Sequence, residues 1–350
     1  MNGSIARLLV VLATNTLVVA CASGASTGSP GGSVPVASQS APPPAPTLSP
    51  SPTLPPTPAP AIATASPSAV ATPLPSEFKV GRGALGIVET GGSVWVAVYW
   101  DSGLARIDPA TRTVAQTVDV GLGAIGVAVG AGSIWVTTHE TNQVVRVDPA
   151  TASVTARIDV PSHPEGIAAD DGAVWASSEG TGQLLRIDPA TNAVTATVKV
   201  GDEPRHVGLG YGSVWVTNYG SGTVTRVDPD TNRVIKTIPT DAGAEGICFA
   251  AGSVWVANVD SGTVTRIDPA TNKVIATFDG GLFNEGMAAR DDQVWLAITG
   301  QNQVAQIDTT ANAVGDGITV GQSPRRMLIR DHELWVTNTD AATISVVPLD

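Results

Sequence analysis

From Val94 onward, short runs of β-favouring apolar residues alternate with polar turn clusters, and the runs recur at a fixed step. Trp95, Trp135, Trp175, Trp215, Trp255, Trp295 and Trp335 mark that step, each 40 residues from the last with no insertion. Self-similarity at this period belongs to propellers and solenoids. In one module, Val254-Trp255-Val256-Ala257 and Thr263-Val264-Thr265-Arg266-Ile267 read as strands. Asp268-Pro269-Ala270-Thr271-Asn272 separates the second of them from Val274-Ile275-Ala276-Thr277-Phe278. That spacer is turn chemistry: Asp accepts from the turn backbone, Pro presets φ, and Thr or Asn closes the reversal. With the run opening at Gly246-Ile247-Cys248-Phe249, each module makes four strands. No segment sustains a 3.6-residue period, so no helices are expected.

The strands are apolar on both alternating sets of positions, as they must be when both faces of a sheet are covered. Four-stranded modules packed face to face give a β-propeller, with the repeated Trp filling the space between neighbours. The seventh module stops at Val346-Val347-Pro348, after its third strand, while Glu77-Phe78-Lys79-Val80 precedes the first Trp module. Val80 aligns with Val120, the end of a fourth strand. The N-terminal strand is therefore expected to complete the last blade and leave no open edge. The predicted fold is all-β, a seven-bladed propeller over 77–350, expected as a monomer.

The first 76 residues follow a different pattern. Arg7 precedes an apolar run from Leu8 to Ala20, too short to span a bilayer as a helix and fit for a secretion signal over 1–20. Its end, Val18-Val19-Ala20-Cys21, resembles a bacterial lipobox. That resemblance implies a lipidated Cys21, a mature N-terminus held in the membrane, and a location on the outer side of the cytoplasmic membrane. Residues 21–76 contain no charge and hold 15 of the 26 prolines, which favours an extended polyproline spacer.

Composition narrows the function classes. The chain has 19 basic and 31 acidic residues, a net charge of −12. Nucleic acid is excluded as a partner, since phosphate binding needs a basic face. Gly81-Arg-Gly83-Ala-Leu-Gly86 and Gly121-Leu-Gly123-Ala-Ile-Gly126 match a dinucleotide fingerprint, but a strand follows each where a helix is required. Four His, none at zinc spacing, argue against a zinc site. Cys248, in an apolar first strand, reads as a buried small hydrophobe.

The Asp-Pro turns barely vary and read as structural. The opposite face, made by the fourth-to-first and second-to-third connections, differs in every module and is where specificity belongs. One column there, just before the innermost strand, reads Leu85, Ile125, Glu165, Arg205, Glu245, Glu285, Arg325. His206 and Arg326 follow in two modules where the other five have Gly. Innermost strands line the channel, so these side chains should ring its mouth, either as a solvated rim of ion pairs or as a polar ligand site. The second-to-third loops add Tyr99, Trp100, His139, Glu179 and Tyr219, expected as exposed contact area. The expected partner is a small polar ligand, or an envelope protein or glycan. A structural role in the envelope is the bland alternative.

The modules resemble YVTN-type propeller repeats, through elements such as Val-Trp-Val-Thr-Asn and Ser-Gly-Thr-Val-Thr-Arg-Ile-Asp, over Glu77 to Asp350. The chain is also distantly similar to the virginiamycin B lyase family, seven-bladed propellers that open a cyclic depsipeptide by Mg-dependent elimination. That family carries Pro-His-Gly-Ile with a nearby Glu, and a further Glu ending a Trp-containing strand. Here the third module reads His163-Pro164-Glu165-Gly166-Ile167, with acid and base exchanged, and Glu179 follows Trp175 by four residues. The resemblance implies His163 as general base, with Glu165 and Glu179 holding Mg²⁺. Ala244-Glu245-Gly246-Ile247 also lacks the His. No cofactor is expected outside that lyase reading.

Overall fold

The computed structural model describes residues 76–349. The expected signal peptide, Cys21 and the linker up to residue 75 lie outside the described residues. Among those described, the chain forms seven antiparallel sheets, one per module. In the third, Pro164–Ala169, Val174–Ser178, Gln183–Asp188 and Ala193–Lys199 run from the channel to the rim. The seventh begins with Pro324–Arg330, Glu333–Asn338 and Thr343–Pro348, and Glu77–Lys79 completes it from the N-terminal side. Phe78 pairs with Ile344 in that strand pair, so the ring closes as the sequence predicts. Among the described residues there are, in place of helices, only single 3₁₀ turns, at Tyr99–Asp101, Glu179–Thr181 and Thr299–Gln301.

The repeated Trp carries the packing from blade to blade. Trp95 shares a core with Ile134, Val136 and Val145 of the second blade, and Trp135 shares one with Val174 and Leu185 of the third. The series ends where Trp335 packs with Val94 and Val96 of the first blade, around Val80 and Ile344. Third-strand arginines lie over these indoles, Arg226 over Trp215 at 4.8 Å and Arg266 over Trp255 at 4.5 Å. Arg226 also reaches the next blade's Asp-Pro turn, donating to the Pro269 carbonyl at 2.5 Å and to Asn272 Oδ1 at 2.8 Å. At the closing seam, Arg112 and Glu333 replace this clasp with an ion pair at 2.6 Å.

Turn chemistry follows expectation. Asp148, Asp188 and Asp268 Oδ1 each accept the backbone N–H two residues on, at 2.7 to 2.9 Å. Cys248 is buried and unpaired, and burial pushes its thiol well above the ordinary range. All four lysines, Lys79, Lys199, Lys236 and Lys273, sit on outermost strands, where charge discourages another chain from adding to the edge. One blade departs from the regular plan. In the sixth, Gly315-Asp316-Gly317 breaks the outermost strand into Ala313–Val314 and Ile318–Thr319. Two glycines so close weaken a ladder, since neither contributes side-chain packing.

Candidate functional site

Each innermost strand carries a bulge at the column singled out in the sequence. In the third blade Pro164 pairs with Ser178 and Ile167 with Ala176, so Glu165 and Gly166 together oppose Ser177. The same shift recurs in all seven blades. A bulge re-aims a side chain out of the regular alternation. The Gly166 N–H donates to Ser177 Oγ at 2.8 Å, and that hydroxyl donates to the Arg205 carbonyl of the next blade at 2.6 Å. Thr137 and Thr217 make the same link to the Glu165 and Glu245 carbonyls, at 2.6 and 2.7 Å. A Cβ on Gly166 or Gly286 would press into the carbonyl of Arg205 or Arg325, which accounts for the glycine column. His206 breaks that column by using the carbonyl: its Nδ1 donates to the Glu245 oxygen at 2.9 Å.

The expected solvated rim is not what forms. Leu85, Ile125, Glu165, Arg205, Glu245, Glu285 and Arg325 are only 1–5% exposed. Seven strands converge on one axis, so side chains aimed inward cover one another. Leu85 and Ile125 cluster with Tyr99 on the apolar side of the ring. The loop residues are corrected likewise: Tyr99, His139 and Glu179 are buried and Tyr219 is half-buried. Trp100 alone of that set is an exposed aromatic, lying over Gly83 with its ring edge-on to Tyr99 at 4.7 Å.

Arg205 is the hub of the charged side. Its Nη1 lies 3.0 Å from Glu245 Oε2, its Nε 3.7 Å from Glu165 Oε2, and its Nη2 3.8 Å from Glu179 Oε1. Its guanidinium stacks 3.9 Å over the Tyr219 ring. Arg325 pairs with Glu285, and Arg326 Nη2 lies 3.5 Å from Glu245 Oε1. Four carboxylates thus face three guanidiniums. Burial pushes Glu165 up to about 7, with Glu179 and Glu245 adding to the rise and Arg205 opposing it. Burial likewise pushes Glu285 up to about 7 against the pull of Arg325. Burial works the same way on Glu245, but Arg205, Arg326 and Arg325 outweigh it and hold that carboxyl down to about 2. Burial beside Arg326 drops His206 to about 3, keeping it neutral.

Two of these shifts pull the pH profile of stability in opposite directions. Glu165 rises from 4.5 to about 7 on folding, so its favourable contribution is full below pH 4.5 and is lost as pH rises through 7. The loss is at most about 3 kcal/mol at 1.36 kcal/mol per unit. His206 falls from 6.5 to about 3, so stability is also lost as pH drops across that window. Melting temperatures should therefore peak between the two limbs. Glu165→Gln should gain on the wild type as pH is raised from 5 to 8. A variant-minus-wild-type difference flat across that range, measured by calorimetry, would contradict the raised Glu165.

The metal ligands implied by the resemblance are partly regrouped. His139, Glu165 and Glu179 offer donor atoms within 4.8 Å of one another, and His139 Nε2 lies 3.2 Å from Glu179 Oε2. His163 is set aside from this trio. At φ 55° it is half-buried, stacks on His139 with centroids 4.6 Å apart, and has Nδ1 2.9 Å from Ser162 Oγ. Two carboxylates escape sequence reasoning altogether: Glu140 accepts from Tyr99 Oη and Asp260 from Tyr219 Oη, both at 2.6 Å. Both pairs are 41 residues apart, one module plus one, a spacing that could have revealed them. Burial and these hydrogen bonds raise both phenols.

Residues 111–224 match a family described only as a repeat of unknown function, DUF6923. No curated protein matches the chain. Among solved structures, virginiamycin B lyase from Staphylococcus aureus is 14% identical, with a TM-score of 0.68 over 78% of this chain and 98% of its own. A streptogramin B lyase structure is 18% identical, with a TM-score of 0.68 over 78% and 97%. Kuenenia stuttgartiensis hydrazine synthase is 16% identical, with a TM-score of 0.67 over 82% and 99%. Proteins of such different names share this shape because propellers host many functions. The chain is a seven-bladed β-propeller, similar in fold to the B-type streptogramin lyases.

Proposed function

We propose that this propeller is a binding module that takes a small polar ligand at its charged ring. The observation that supports the reading is a set of buried guanidinium nitrogens without hydrogen bonds: Arg326 Nη1, and Arg325 Nε and Nη2. Leaving such atoms unmade costs about 1–3 kcal/mol each, a cost that a ligand with matching acceptors removes. Arg326 also lines a cavity of about 150 Å³, together with Glu165, Arg205 and His206 and the apolar Ile87, Val127, Met287 and Met327. It suits a compact ligand with both an anionic and a cationic or donor group. Thermal shift and calorimetry with small anions and zwitterions test this. A ligand at 100 times its Kd stabilises the protein by about 2.7 kcal/mol. That gain should vanish in Arg326→Ala, and equal gains in both proteins would count against the site.

A second reading is a Mg-dependent lyase acting on a B-type streptogramin, favoured by the convergence of His139, Glu165 and Glu179. The two carboxylates and the imidazole would hold a divalent cation once Arg205 turned away from them, and the ion would polarise substrate oxygens. Incubation with a B-type streptogramin, with and without Mg²⁺, followed by mass spectrometry of linear product, decides it. Metal-dependent product lost in Glu165→Ala would establish the lyase. An envelope scaffold is what remains if neither ligand nor product is found. Anchoring through a lipidated Cys21, outside the cytoplasmic membrane, belongs to this proposal.

A further inference from the structure

The variable face has features that a small cavity does not use. Trp100 is 42% exposed, Leu122 55%, Leu282 63% and Phe283 39%. All four stand on loops of this face, beside the mouth. Phe283 does so at φ 50°, a left-handed conformation that a bulky aromatic rarely adopts. Trp100 and Leu122 flank the second blade's entry and Leu282 and Phe283 the sixth's, so a partner touching both pairs crosses the mouth. The loops around them carry Asp101, Glu140, Asp202, Glu203, Asp241, Asp260 and Asp340, against one loop arginine, Arg82, and the exposed Arg157, which reaches in from an outermost strand to donate to the Val120 carbonyl at 2.7 Å. Arg82 is already paired with Asp101 at 2.8 Å. At the outer rim, Lys79 and Lys199 donate to the Ala341 and Thr181 carbonyls.

We infer that this face docks a cationic peptide segment bearing large apolar side chains, an inference that rests on the face being a binding surface. The carboxylates favour Lys or Arg and repel an acidic partner, and their field raises the encounter rate. The exposed Trp, Leu and Phe supply the apolar anchors that dominate such interfaces. An anionic lipid surface is disfavoured by the same charge.

The test uses the full chain and a labelled synthetic peptide of alternating lysine and leucine, followed by fluorescence anisotropy. The expected result is saturable binding that weakens at least about tenfold in the Trp100→Ser/Leu282→Ser double variant, as for a lost anchor pair. Binding should also weaken as salt shortens the Debye length from about 8 Å at 0.15 M to about 3 Å at 1 M. Glutamate–leucine and lysine–serine peptides should each bind at least about tenfold more weakly. Equal binding of the glutamate–leucine peptide, or an affinity unchanged in the double variant, overturns the inference. Capture by phosphatidylcholine vesicles without peptide binding overturns it in favour of a membrane. A small ligand that binds the cavity while the lysine–leucine peptide does not bind overturns this inference alone. If neither binds, the binding-module reading falls with it.

Discussion

Arg205→Ala should be among the most destabilising single changes in the described domain, costing about 3–5 kcal/mol as one partner of a buried ion network is removed. The guanidinium is 3% exposed and is shared by Glu165, Glu179 and Glu245. Without it Glu165 loses the guanidinium 3.7 Å away that opposes the rise of its carboxyl, and Glu245 loses the one 3.0 Å away. For a domain this large, each kcal/mol lowers the melting temperature by about 2–4 °C, so a fall of roughly 10 °C is expected. Arg205→Lys should recover only part of it. An ammonium is a point charge that cannot span three carboxylates, and it lacks the planar face stacked on Tyr219. Adding Glu165→Gln to Arg205→Ala should restore some stability, since the two groups are coupled. Calorimetry showing the alanine variant within 2 °C of the wild type, about 1 kcal/mol by the same conversion, would refute the buried network.

Deleting residues 77–80 should have a larger effect still, because it opens the ring. That strand is held by its ladder to Thr343, Ile344 and Ser345, by the Lys79 bond to the Ala341 carbonyl at 2.8 Å, and by four further contacts. Phe78 stands edge-on to Trp335 at 5.5 Å, and the Val80 N–H donates to the Ala342 carbonyl at 3.1 Å. Thr343 donates to Glu77 Oε1 at 2.6 Å, and Val80 is buried in the Trp335 core. Loss of the strand uncovers Ile344 and Val346 and leaves a free edge on the seventh blade. Such an edge templates pairing with another chain. The deleted protein should elute as oligomers and melt at least about 10 °C lower, equivalent to several kcal/mol. Phe78→Ala alone should cost about 3 kcal/mol, the low end for a Phe truncation, because the side chain is only partly buried. Phe278 supplies the control, being at the equivalent position of the fifth blade and 6.3 Å from Trp255. Phe278→Ala should lower stability comparably while leaving the protein monomeric. If both variants oligomerise, the seam is not a special point in the ring.

Several features of the site were legible because the repeat has no insertions. Adding 40 to a residue number lands on the equivalent position of the next blade, so the ring column could be read straight from the chain. The same arithmetic would have paired Tyr99 with Glu140 and Tyr219 with Asp260, had the offset of one been tried. It could not choose between His139 and His163 as the partner of Glu165. His163 is nearer in sequence, but with a left-handed backbone it stacks on the outside of the trio against His139, which crosses from the preceding blade.

The sequence by itself determined the seven blades, their strand order, the Trp-to-blade packing and the closing strand. Each depends on short-range turn chemistry and on a repeat in which every blade must cover its neighbour. Only the tertiary structure decided that the charged ring is buried rather than solvated. The reason is convergence: seven strands aim those side chains at one axis, and no local pattern records how much of each is covered by the other six. That burial raises Glu165 and Glu285 toward neutrality, binds Arg205 to three carboxylates from two other blades, and leaves guanidinium nitrogens of Arg325 and Arg326 without hydrogen bonds.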